Sequence, residues 1–101
     1  MAQEIVIDGY KFWGYYTLDA NLKKIGGVYV IFDGLGLKFI DVGETNDLSD
    51  RPRNHERKPC WERNCPNGIY FAARAEEDED ERLAIESHIR SRHPEMPCGK
   101  E

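Results

Sequence analysis

The sequence predicts one small α+β domain: a three-stranded antiparallel sheet flanked by helices, with an N-terminal β-hairpin extension. Three observations predict it. The 101 residues are enough for a single domain and no more. Short β-branched and aromatic runs recur on either side of Asp-Gly and glycine-rich turns, as hairpin strands do. Helical spacing appears only at 46–58 and after residue 78, which gives the order β-β-β-β-α-β-α.

The first two strands come from Glu4-Ile5-Val6-Ile7 and Tyr10-Lys11-Phe12-Trp13, joined by Asp8-Gly9, a dipeptide suited to the positive φ angles of a tight hairpin turn. They form the extension, residues 1–25, of a domain spanning 26–101. Val28-Tyr29-Val30-Ile31-Phe32 is a nearly continuous apolar run and reads as a central strand. It pairs with Leu37–Val42 across a turn at Asp33-Gly34, and Gly43 is expected to end the pair. In 46–58, Leu48, Arg51 and His55 share one side of a helix starting near Asp47 to Ser49, with Pro52 in its first turn, where proline is tolerated. Gly68–Arg74 is a further strand. Asp78 and Glu81 then have capping-box spacing before Leu83, Ala84, Ile85 and Ile89, and Arg90, Arg92 and His93 close the helix ahead of Pro94.

Charge narrows the function classes. Fourteen Lys and Arg against nineteen Asp and Glu leave a net charge of −5, which argues against a protein that coats nucleic acid by bulk charge. The acid is concentrated: removing the six carboxylates of 76–81 from −5 leaves +1. That run reads as a solvated helix start matched to the macrodipole. The complementary basic segment is 51–63, where Arg51, Arg53, Arg57, Lys58 and Arg63 face only Glu56 and Glu62. It is the expected phosphate footprint, with Trp61 either packing under the following loop or stacking on a base. No apolar run approaches a bilayer span and MAQEIVIDGY lacks the features of a signal peptide, so a cytoplasmic protein without membrane association is expected. Cys60, Cys65 and Cys98 are an odd number, so reduced thiols are expected in place of a disulfide framework.

Gly27-Val28-Tyr29, followed by Asp41-Val42-Gly43 and then by Arg51, His55 and, far downstream, Glu86, resembles the GIY-YIG endonuclease family over residues 26–97. The literal Gly68-Ile69-Tyr70 has no partner motif after it, so the first motif is placed at 27–29. The resemblance implies metal-dependent cleavage of a nucleic-acid phosphodiester, with DNA as the first-choice partner. It implies that Tyr29 positions or deprotonates the nucleophile, that Arg51 stabilises the developing phosphorane charge, and that Glu86 holds a hydrated Mg²⁺ or Mn²⁺. His55 is then a proton shuttle or a phosphate ligand. These types suit the reaction: a guanidinium grips two phosphate oxygens and stays charged, and Mg²⁺ keeps most of its waters while taking few carboxylates.

Two departures keep a second reading open. Asp41 stands where the family carries tyrosine, and the asparagine usual after the last helix is replaced at Pro97, Cys98 or Gly99. Asp41 is then either a substitute base or second metal ligand, or the mark of a scaffold that binds nucleic acid or protein without cutting. Glu86, at the border of an apolar helix face, needs a partner, and Arg82 and Arg90 at i−4 and i+4 are the ordinary ones. A third reading has Cys60, Cys65, His93 and Cys98 holding a structural Zn²⁺, at spacings looser than a zinc knuckle. A protein partner or self-association is compatible with each.

Overall fold

Asp8-Gly9 turns the chain as its composition predicts: in the computed structural model, which describes residues 2–99, both residues have positive φ, 50° and 90°. Met1, Lys100 and Glu101, at the outer ends of the expected 1–25 and 26–101 segments, lie outside the described residues. The turn joins β1 (Gln3–Ile7) to β2 (Tyr10–Thr17). After a connection come β3 (Gly27–Asp33) and β4 (Lys38–Thr45), then α1 (Lys58–Asn64), β5 (Ile69–Ala75) and α2 (Glu79–Arg92).

The sheet has five strands in the order β1-β2-β5-β3-β4, every pairing antiparallel. This corrects the expected three-stranded sheet with a hairpin attached. The hairpin is hydrogen-bonded into the sheet, because β2 pairs with β5 through Trp13 opposite Ala73 and Tyr16 opposite Phe71. β4 also runs on through Gly43 to Thr45, since Tyr29, Val28 and Gly27 continue to supply partners.

Pleat alternation divides the core in two. Val28, Val30 and Phe32 of β3 join Val42, Ala72 and Phe12 under Ile85 and Ile89 of α2. Tyr29 and Ile31 point the other way, with Phe71, Ala73, Leu48 and Trp61 of α1. All seven residues of β3 are buried, so its uninterrupted apolar run reflects cover on both faces. Asp78 caps α2, accepting from the backbone N–H groups of Asp80 and Glu81 at 2.9 and 3.3 Å. The capping box is only half made, because the Asp78 N–H goes to Glu76 and not to Glu81.

The helix expected over 46–58 is absent. Side chains there compete for the backbone: Thr45 Oγ1 accepts from Asp47 N–H and Asp47 Oδ1 from Ser49 N–H, while Leu48 N–H crosses to the Ile25 carbonyl at 2.8 Å. Arg51 and His55 therefore sit on a strap of consecutive turns, and α1 begins only at Lys58, with Pro59 in its first turn. Among the described residues no helix is long and apolar enough to cross a membrane.

Candidate functional site

The strap closes over the β3–β4 pair to leave a polar cleft of about 340 Å³. Tyr29, Gly43 and Glu44 form its floor, Arg51, His55, Glu56 and Arg57 come from the strap, and Glu86 enters from α2. Four of the five predicted catalytic side chains, Tyr29, Arg51, His55 and Glu86, thus share one opening.

The glycine of the second motif has a direct role here. Gly43 lies opposite Tyr29 across the β3–β4 pair, and a Cβ at Gly43 would collide with the phenol, 2.5 Å from Cζ. The ring lies where only a missing side chain leaves room. Tyr29 is 1% exposed, and burial pushes its phenol above the ordinary range despite the opposing pull of Arg57 and Arg51. It is therefore a neutral hydroxyl near pH 7. His55 packs edge-on to Tyr29, with ring centroids 6.0 Å apart, and against Trp61 at 4.8 Å. Its Nδ1 accepts the Arg57 backbone N–H at 3.0 Å. In the neutral ring the proton then belongs on Nε2, which makes His55 a donor on that side. Burial, with the Arg57 charge second, lowers its pKa and favours that neutral form.

Arg51 Nη1 pairs with Glu56 Oε1 at 2.9 Å, with side-chain exposures of 34% and 70%. Solvent screens such a wet pair, so it adds little to stability and leaves Arg51 easily released toward the cleft. Glu86 is half-buried and, among the described residues, makes no side-chain hydrogen bond or ion pair. The expected helix partners look elsewhere: Arg82 Nε donates to Glu44 at 2.9 Å, and Arg90 reaches Asp41, the Val42 carbonyl and the Cys98 carbonyl. Burial raises the Glu86 pKa; the Arg90 charge lowers it and Glu44 raises it further.

Asp41 is the correction. It has no exposed surface, and both oxygens are occupied. Oδ2 accepts from Arg57 Nε at 2.7 Å and from Trp61 Nε1 at 2.8 Å, and Oδ1 from Arg90 Nη2 at 2.6 Å and from its neighbour's N–H at 2.8 Å. Burial alone would raise its pKa, but the hydrogen bonds from Arg57, Trp61 and Arg90 outweigh it and hold the carboxyl below its usual range. A carboxylate so enclosed and saturated is neither base nor metal ligand. It orients Arg57 toward the cleft.

The basic footprint divides in the same way. Arg57 lines the cleft, whereas Arg53 is spent inside the fold, its Nη2 donating to the Asp19 and Ala20 carbonyls and to Asn21 Oδ1 at 3.0–3.1 Å. Lys58 and Arg63 ride on α1 outside the cleft lining. Trp61 is fully buried, so it packs and does not stack on a base. Sequence reasoning missed Glu44 and Glu56. The first had a signal, since it directly follows Gly43 on the same strand; the second had none beyond its basic neighbours.

The cysteines also differ from expectation. Cys60 and Cys98 form a disulfide, because the chain after α2 returns across α1 and is held there by Arg90. Parity of three had hidden a pair and one buried free thiol, Cys65. His93 stacks on Phe39 and bonds Asp8 at 2.8 Å, so of the four residues of the zinc reading two are taken up by the disulfide and His93 is engaged elsewhere. Among the described residues, no group of three or more His, Cys, Asp or Glu is arranged around a common point. A divalent cation in the cleft would therefore rest on Glu86, with Glu44 nearby and water as the remaining ligand. That donor set fits Mg²⁺ or Mn²⁺, and an unpaired half-buried carboxylate is the group such an ion would neutralise. No family model matches the chain, and neither a curated protein nor a solved structure shows significant similarity to it.

Proposed function

We propose that the cleft binds a nucleic-acid phosphodiester, DNA in the first instance, and hydrolyses it with one Mg²⁺ or Mn²⁺, in the manner of a GIY-YIG endonuclease. The observation that carries this reading is convergence: a phenol, an imidazole, two guanidiniums and a carboxylate with no partner among the described residues, drawn from one strand, a strap and a helix, open onto one space of about 340 Å³. Folding alone does not require a Glu86 without a partner among the described residues beside two half-buried cations.

Hydrolysis adds water across a P–O bond, so the cleft must orient the water and neutralise the non-bridging oxygens, and a proton must return to the leaving oxygen. Arg51 exchanges Glu56 for a phosphate oxygen, and Arg57, aimed by Asp41, supplies a second positive charge. Tyr29, protonated at rest, orients the attacking water through its hydroxyl. His55, neutral, donates a hydrogen bond from Nε2 to a non-bridging phosphate oxygen and keeps its proton; the proton lost by the attacking water leaves to solvent, and solvent water protonates the leaving oxygen as the P–O bond breaks. Glu86 would hold the cation, whose Lewis acidity would lower the pKa of bound water.

A specific observation favours the runner-up, a binding module without cleavage: the residue in place of the family's second tyrosine is buried and committed to structure. Plasmid and branched-DNA nicking in Mg²⁺ or Mn²⁺ separates the two. The enzyme reading expects nicking that Arg51→Ala and Glu86→Gln each reduce at least a hundredfold with unchanged circular dichroism. Binding without nicking in either metal would leave the module.

A further inference from the structure

On the sheet face that carries Tyr29, a second and different depression lies beyond the strap. It measures about 290 Å³ and is lined by Trp13, Tyr16, Leu22, Lys23, Leu48 and Ala73 among others. Its location follows from register. Trp13 pairs with Ala73, Ala73 with Tyr29 and Tyr29 with Gly43, so one cross-strand row runs from this groove to the cleft floor. Two strand spacings separate Trp13 from Tyr29, about 10 Å. The strap is the shared wall: Leu48 faces the groove, and Arg51 and His55 face the cleft.

Trp13 is 49% exposed in the middle of a strand, which leaves its ring accessible from solvent. Tyr16 stands beside it, held at 5.3 Å by the Phe71 ring. Between the aromatics and the Leu22–Leu48 wall the floor is Ala73 and Ala75, whose small side chains keep the slot open. Lys23, exposed at the rim, places a positive charge beside an otherwise apolar slot. The volume is at the lower limit for ligand pockets, which begin at roughly 300 Å³, so it suits one flat heterocycle and is too small for a helix of a partner protein.

We propose that this groove is a subsite for one unpaired nucleobase, stacked on Trp13, from the strand whose phosphate occupies the cleft, with Lys23 on that nucleotide's own phosphate. The proposal rests on the nucleic-acid reading of the cleft and deepens it, because a base inside a duplex has both faces covered and cannot stack here. The substrate class is then a single-stranded or unpaired segment at a junction or flap, not a continuous duplex.

The test is binding in EDTA, where cleavage plays no part. Short oligothymidylate and a long blunt DNA duplex are titrated against the protein, following tryptophan fluorescence and anisotropy. The expected result is quenching of exposed Trp13 by oligothymidylate. Trp13→Ala and Trp13→Leu should weaken that probe about 5- to 100-fold and the duplex less than twofold, and Trp13→Phe should restore most of the loss. Full affinity in Trp13→Leu, equal losses on both probes, or no oligothymidylate binding by the wild type would each overturn the subsite. Plasmid nicking and its dependence on Arg51 report on the cleft alone. Intact nicking without stacking therefore removes only the groove, and stacking without nicking removes only the enzyme.

Discussion

The Asp41 carboxylate and the Arg57 guanidinium meet at 2.7 Å beneath the cleft, so a side chain with no access to solvent sets the direction of one that has it. Arg90 completes the arrangement at 2.6 Å, and two cations on one carboxylate leave the cluster with a net positive charge.

Asp41→Asn should cost about 3–5 kcal/mol in urea unfolding, the range for breaking a buried ion pair while leaving its partners in place. The sign with pH follows from the depressed folded pKa. The Asp41 contribution is fully present above its ordinary value of 3.8 and is lost as pH falls from there through the folded value. Wild type and variant should therefore converge in stability below about pH 4. Parallel stability curves across that range would mean that the carboxylate is not held as described.

Glu86→Gln should do the opposite to stability. A raised folded pKa means that the folded state prefers the neutral carboxyl, so wild type loses stability as pH rises through that folded value. Removing the charge at pH 7 should stabilise the metal-free protein by about 0.5–1 kcal/mol, a modest figure because the group is partly wet. Nicking should disappear in the same variant. A destabilised Glu86→Gln would indicate a partner for this carboxylate in solution.

His55 should titrate below its ordinary 6.5 and carry its neutral proton on Nε2, both readable by ¹⁵N-detected imidazole NMR. Its contribution to stability is complete above pH 6.5 and declines as pH falls through the lowered folded pKa. His55→Gln, which keeps a donor, should lose about tenfold less nicking activity than His55→Ala. Equal losses would remove the donor role.

Reducing the Cys60–Cys98 bond, which spans 38 residues of sequence, should lower unfolding stability by about 2–4 kcal/mol, measured in urea with and without a thiol reductant. Cys98→Ser should reproduce the change without reductant and be insensitive to it.

What was legible in the sequence follows the range of the forces involved. The strands and α2 could be read because alternation, Asp8-Gly9 and the Asp78 cap are local signals, and those elements stand where the pattern puts them. The 46–58 segment misled because its shape comes from Thr45 and Asp47 side chains, the Leu48 bond to Ile25 and Arg53 reaching residues 19–21, contacts that a helical spacing of Leu48, Arg51 and His55 does not register. Glu86 was readable as a carboxylate in need of a partner. That Arg82 and Arg90 would desert it for Glu44 and Asp41 was not, because those bonds cross 38 and 49 residues. Asp41 could be seen to differ from tyrosine but not to be buried, since burial depends on Trp61 and two arginines arriving from both helices and the strap.

Arg53 ties the strap to the Asp19 and Ala20 carbonyls and the Asn21 side chain, and Leu48 N–H ties it to Ile25, so both moorings lie in the stretch linking the N-terminal hairpin to β3. A chain cut to begin at residue 26 would keep every cleft side chain and cast off the rope that aims Arg51 and His55. The first quarter of the polypeptide is therefore scaffolding for the cleft, and shortened versions that look complete by motif should lose whatever the cleft binds.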